Sequence, residues 1–206
     1  MAWIYEIGVG KYFNQSQQEN NATEFYNYFI NYGITIEAIC GMLGNITRES
    51  TLNPAIKQGN STSLGWGLIQ WTPSTVLTNW CKRYGYNWYD GAAQCERIKC
   101  EGEGIKDASG YWIPTSDYSY SWSEFIALTD VAEATKAYLY ERERAGIEAL
   151  DLRLQYASEW YEYFGGTPQP PEPPTPPEPP EPPTPPTPPT PYKRAKMPIY
   201  MMIKKF

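Results

Sequence analysis

The chain has 206 residues, with 17 Lys and Arg against 23 Asp and Glu, no His, and a net charge of −6. That length admits one domain of about 165 residues and a tail. With no His, and Cys40, Cys81, Cys95 and Cys100 spaced 41, 14 and 5 residues apart, paired zinc-type ligands are excluded. No metal, other cofactor or nucleic-acid partner is expected.

Met1-Ala2-Trp3-Ile4-Tyr5-Glu6 lacks the basic start and apolar run of a signal peptide. The first strong element is a helix over 35–50. Thr35 suits its N-cap, and Glu37 lies in the first turn, where the helix dipole favours an anion. Ile36, Ile39, Met42, Leu43 and Ile46 recur at three- and four-residue steps and mark a buried face. Gly41 and Gly44 each cost about 1 kcal/mol against Ala inside a helix, which suggests a close backbone neighbour or a local bend. Pro54 then disfavours helical geometry at Asn53. Glu49 continues the apolar stripe, three residues after Ile46. A carboxyl pressed on apolar surface holds its proton, so Glu49 is a candidate general acid. Lifting its pKa from about 4.3 towards 6 or 7 corresponds to about 2.5–3.5 kcal/mol.

Residues 55–71 read as a small β-hairpin. Gly59-Asn60-Ser61-Thr62 supplies the turn, and Leu64, Trp66, Leu68, Ile69 and Trp71 supply strand residues interrupted by Gly65 and Gly67. Glycines within a strand often mark close approach of a ligand. Trp66 and Trp71 beside them could stack on sugar faces or fill a core. Beyond the hairpin, Thr72 caps a helix from Pro73 to near Tyr84. Asp90 opens another helix to about Cys100. Glu101, Glu103, Asp107 and Asp117 fall in an irregular, solvent-facing region, and 111–120 is an aromatic loop that could wall a saccharide cleft. Ser121-x-x-Glu124 and Asp130-x-x-Glu133 have the form of capping boxes. Helices are expected over 130–145 and 147–164, the second stopped by Gly165-Gly166. Cys40 is a core thiol, and the other three cysteines allow one bridge and give no disulfide framework.

Sixteen of the 20 prolines lie in 167–191, in a Pro-Pro-x repeat. This reads as a polyproline II linker reaching about 75 Å at 3.1 Å per residue. A ligand for a Pro-binding module is the rival reading. Residues 192–206 form a short basic and apolar tail, too short to span a bilayer. It could dock on a partner protein, pair with a sheet edge, lie on an anionic surface, or be disordered. The expected organisation is a catalytic domain over 1–166, the linker over 167–191 and the tail over 192–206. Residues 1–166 carry 12 Lys and Arg against 20 Asp and Glu, a net −8. So acidic a domain gains no attraction to an anionic wall, and a tether would have to deliver it.

Glu49-Ser50, Asn53-Pro54 and Gly65-Trp66-Gly67-Leu68-Ile69-Gln70 together resemble the Glu-Ser … Gly-x-x-Gly-Leu-hydrophobic-Gln pattern of the lysozyme-like superfamily. The stretches 38–45, Glu49-Ser50-Thr51 and 67–73 are similar to the phage tail lysozyme family, the tail-tip peptidoglycan hydrolases of short-tailed phages. Glu143-Arg144 resembles that family's Glu-Arg-Pro signature, with Ala145 in place of the Pro. The resemblance covers about residues 20–165. It implies an α+β, predominantly helical lysozyme-like domain with a small β-hairpin. It also implies Glu49 as general acid, Gln70 in the cleft, and peptidoglycan as substrate, cleaved at β-1,4 bonds between N-acetylmuramic acid and N-acetylglucosamine. The expected location is a virion tail, with other tail proteins as partners of 192–206, or release from the host on lysis. Between Ser50 and Tyr89 there is no Asp or Glu to serve as a second carboxylate. Three mechanisms therefore stand: a water placed by Thr62, Ser63 or Gln70, attack by the substrate's own N-acetyl group, or Glu49 alone forming the anhydro-sugar of a lytic transglycosylase. A non-catalytic wall-binding tail component is the alternative outside enzymology.

Overall fold

The computed structural model describes residues 2–144 and 149–166; the expected linker and tail lie outside the described residues. The domain is α+β and predominantly helical. Helices α1 (Gln15–Ile30), α2 (Ile36–Ser50), α3 (Thr75–Tyr84), α4 (Gly91–Glu103), α5 (Trp122–Phe125), α6 (Val131–Tyr138) and α7 (Leu150–Tyr163) accompany two short strands, β1 (Gly8–Val9) and β2 (Ile56–Lys57).

Helix α2 is the central element. Thr35 accepts a hydrogen bond from the Ala38 N–H as its N-cap, as its position in sequence suggests. Every residue from Ala38 to Thr47 is buried, so the apolar stripe widens to the whole circumference. The two glycines answer to close neighbours. A Cβ at Gly41 would stand 2.8 Å from the Ala134 carbonyl carbon of α6, and one at Gly44 would overlap the Arg153 carbonyl of α7. Backbone contact this close buries polar groups, and they pair across the seam. The Asn45 amide donates to Gly41 O at 2.8 Å and to Thr135 O at 3.0 Å. The Trp160 indole N–H donates to Thr47 Oγ1 at 2.8 Å.

Several elements differ from their sequence-based outlines. Helix α1 was not foreseen, although Asn14 and Gln17 form a reciprocal capping box at its start. The hairpin over 55–71 is reduced to single antiparallel bridges, Lys57 to Trp66 and Trp66 to Trp71. The sheet proper is β2 paired in parallel with β1 from the N-terminal arm. Thr72 does not cap α3, because its hydroxyl donates to Gln70 O, and the helix begins at Thr75 after Ser74. The single helix expected over 130–145 ends early. After α6 the chain widens into a π-turn, Leu139–Glu143, and leaves it through Arg144 in the left-handed conformation, φ 48°. The four cysteines are buried thiols without disulfides. No helix among the described residues is long and apolar enough to cross a membrane.

Candidate active site

A cleft of about 740 Å³ opens at the C-terminal end of α2. Its walls come from separate stretches of chain: Arg48 and Glu49 of α2, Ile69 to Thr72 of the bridged loop, Tyr111 of the aromatic loop, Arg142 to Arg144 at the π-turn, and Arg153 of α7. Val9, Gly10 and Tyr12 of the N-terminal arm form a further rim. Val9 and Tyr12 are exposed there, which sequence reasoning missed because no periodic element marks that stretch.

The turn that ends α2 is conformationally costly. Thr51 and Leu52 both take positive φ, 49° and 62°, which for non-glycine residues costs about 1–3 kcal/mol each. Surrounding hydrogen bonds hold it. Thr51 Oγ1 accepts from the Phe13 N–H at 2.8 Å. The Asn53 amide donates to Glu6 O and Lys11 O, and its oxygen accepts from the Glu6 and Ala55 N–H groups. Opposite, the buried Gln94 accepts from the Leu68 N–H and donates to Pro54 O and Trp88 O, which fixes the Gly67-Leu68 corner.

Glu49 faces the cleft with its side chain 23% exposed. An apolar surround was the expectation for it, and the structure also sets a cation against it. It makes an ion pair with Arg153 at 2.5 Å, and Arg153 is buried and also donates to Asn45 O and Oδ1. The cleft holds a second carboxyl, that of the half-buried Glu143. Its Oε1 is sealed from water and has no hydrogen-bond partner. Burial, and then the charge of Glu49, push the Glu143 carboxyl well above the usual carboxylate range, against the opposing pull of Arg142 and Arg153. A second carboxylate therefore lines the same cleft as Glu49. It comes from 94 positions further along the chain, through the π-turn.

Behind the cleft lies a buried charged network. Glu101, expected at the surface, is 1% exposed. Its Oε1 accepts from Arg97 Nε at 2.8 Å and from the Trp71 indole at 2.7 Å, and its Oε2 accepts from Arg142 Nε at 2.7 Å. The Tyr111 ring lies against both guanidinium groups, 4.9 Å from Arg97 and 5.5 Å from Arg142. The aromatic loop is tied down by a second buried acid, Glu141, whose Oε1 accepts from the Tyr120 N–H while Oε2 has no partner. Burial raises the Glu141 pKa to about 7, aided by the charges of Glu124 and Glu133. A carboxyl whose folded pKa exceeds its unfolded value stabilises the fold fully below the unfolded value, and that contribution is lost as pH rises through 7. The melting temperature should accordingly be several degrees higher at pH 5 than at pH 8. Glu141→Gln should narrow that gap, as differential scanning calorimetry would show.

The sequence-derived site residues fall into two groups. Glu49, Gln70 and Trp71 line the cleft together. Gln70, at φ 50°, donates from its amide to Gly67 O at 2.8 Å. Thr62 and Ser63 are exposed on the loop and outside the cleft wall; Ser63 bonds Ser61, and the Thr62 carbonyl accepts from Ser74. Trp66 is half-buried beside Trp88, with its indole N–H bonded to Gly59 O and Lys57 Nζ 4.0 Å above its ring.

Residues 20–164 match the family described as phage tail lysozyme. The chain belongs to this family. It is similar to Morphogenesis protein 1 of Bacillus phage B103, with 35% identity over 159 residues, 75% of this chain. The match spans only 42% of that relative's length. The matched segment contains every helix that builds the cleft, whereas the Val9 and Tyr12 rim lies before it.

Proposed function

We propose that this domain hydrolyses the β-1,4 bond between N-acetylmuramic acid and N-acetylglucosamine in peptidoglycan, and that it does so as part of a phage particle. The observation that carries the reading is the cleft with Glu49 and Glu143 in its wall, two carboxyl groups in unlike environments. Two-carboxylate glycoside hydrolysis uses such a pair, one group to protonate the leaving oxygen and one to assist water. Glu49 is the group that protonates the glycosidic oxygen, with Gln70 and Trp71 beside it on the saccharide.

The charge of the cleft suits an anionic glycan. Arg142 and Arg153 are taken up by Glu101 and Glu49, but Arg48, Lys57 and Arg144 also line the cleft and make no ion pair among the described residues. They offer partners for the lactyl and stem-peptide carboxylates of the wall, although the domain as a whole is acidic. A smaller cavity of about 200 Å³, lined also by Trp80, shares Val76 and Tyr111 with the cleft. Delivery by a virion is supported by the family and by the name of the relative as a morphogenesis protein. The Pro-rich segment and basic tail would supply the tether to other tail proteins.

Mass spectrometry of purified wall digested by the protein tests the chemistry. Ordinary reducing ends are the expected product. Ends of the 1,6-anhydro type would instead identify a lytic transglycosylase, and no released muropeptides would leave a wall-binding tail component.

A further inference from the structure

We propose that Glu143 is the second carboxylate of this reaction: it and Glu49 hold one proton between them, kept on Glu143 while Glu49 is paired with Arg153. The inference rests on the glycosidase reading of the cleft and names the group that reading lacked.

The geometry has three parts. First, Glu143 lines the cleft that Glu49 lines, at the last residue of the π-turn. Turns of this kind frequently interrupt helices at functional sites. Second, one Glu143 oxygen is buried with no donor to stabilise it as an anion, so the neutral acid is its favoured form. Third, the cation nearest Glu49 is already committed. Arg153 bonds Glu49 directly and Asn45 besides, whereas Arg142 is bound to Glu101. The charged and titratable groups acting on Glu143 are thus Glu49 from α2, Glu101 from α4, Tyr138 and Arg142 from α6 and the π-turn, and Arg153 from α7. The charge of Glu49 disfavours a second charge on Glu143, and Glu143 makes no ion pair among the described residues, so the proton stays there.

The reaction then balances over one turnover. The proton held by the pair passes to the glycosidic oxygen, and the bond from that oxygen to the sugar C1 breaks with its electrons going to oxygen. Water oxygen bonds to C1, and the proton that water gives up returns to the pair. One water is consumed, and the pair ends as it began.

Glu143→Gln keeps the shape of the side chain and removes its proton. At pH 7.5 the variant should lose about 10–100-fold in kcat on purified wall, with KM little changed. At pH 5, where the solution supplies protons more readily, the loss should shrink to a few-fold, so the alkaline limb of the pH profile moves to lower pH. Equal loss at every pH, with an unchanged melting temperature, would assign Glu143 a merely structural role and overturn the proposal, as would full activity. A second measurement does not depend on turnover. In the wild-type protein, carboxyl-carbon NMR should show Glu143 titrating near or above neutral pH, and Glu49→Gln should move that midpoint down by removing the neighbouring charge. A Glu143 signal titrating near the ordinary value of about 4.3 would refute the inference and leave the glycosidase reading standing. The NMR result without any wall cleavage would do the reverse.

Discussion

Glu49→Gln should reduce release of reducing ends from purified peptidoglycan by about 10²–10⁴-fold, the usual contribution of a positioned general acid. The amide is nearly isosteric and can still accept a hydrogen bond from Arg153, but it has no proton to give a leaving oxygen. What it loses structurally is the charge opposite a guanidinium that is 1% exposed. Part of that guanidinium remains satisfied by Asn45 O and Oδ1, at 3.3 and 3.1 Å, so the variant should fold. Thermal melting distinguishes the two effects. A folded variant without activity supports the assignment. A folded variant with wild-type activity eliminates Glu49 as the acid and moves the role to Glu143. The comparison between the two glutamate variants is informative because their pH dependences differ: acid rescues Glu143→Gln and does not rescue Glu49→Gln.

The parts of this site that could be read in sequence are those carried by local chemistry. Thr35, Asp90 and Ser121 all cap helices through their side chains, because the cap hydrogen bond spans only two or three residues. Gly41 and Gly44 could be read as contact points because a helix has little other use for them, and they are where α6 and α7 cross. Glu49 and Gln70 come together in the cleft as the family resemblance implies, and Trp71 follows Gln70 directly. What escaped was everything contributed from a distance. The expected surroundings of Glu49 followed the period of α2 alone, and periodicity does not register that α7 inserts Arg153 beside it. Glu143 was visible as part of a motif but without a role, since a search for a second carboxylate among the residues just after Glu49 stops long before the π-turn. The parallel pairing of β1 with β2 joins residues 8 and 56, and nothing in either two-residue strand announces its partner. Glu101 was misplaced for a related reason. A carboxylate is exposed unless it is paired, and its partners Trp71, Arg97 and Arg142 converge on it only in three dimensions.

That convergence makes Glu101 the position outside the cleft wall where substitution should cost most. Glu101→Leu would leave the guanidinium groups of Arg97 and Arg142, 2% and 9% exposed, without their counter-ion, together with an unpaired Trp71 indole. Removing one partner of a buried ion network costs about 3–5 kcal/mol, because the charges that remain are out of water and uncompensated. In a domain of this size that corresponds to a fall in melting temperature on the order of 10 °C. Glu101→Gln retains the shape and one acceptor, and should fall between the two. Activity should drop further than stability alone requires. Trp71 and Arg142 both line the cleft, and Arg142 immediately precedes Glu143, so loosening the network displaces the wall and the proton-holding carboxyl together. A melting temperature within about 2 °C of wild type would mean that water reaches the two arginines, and the network would then be a surface feature with no hold on the site.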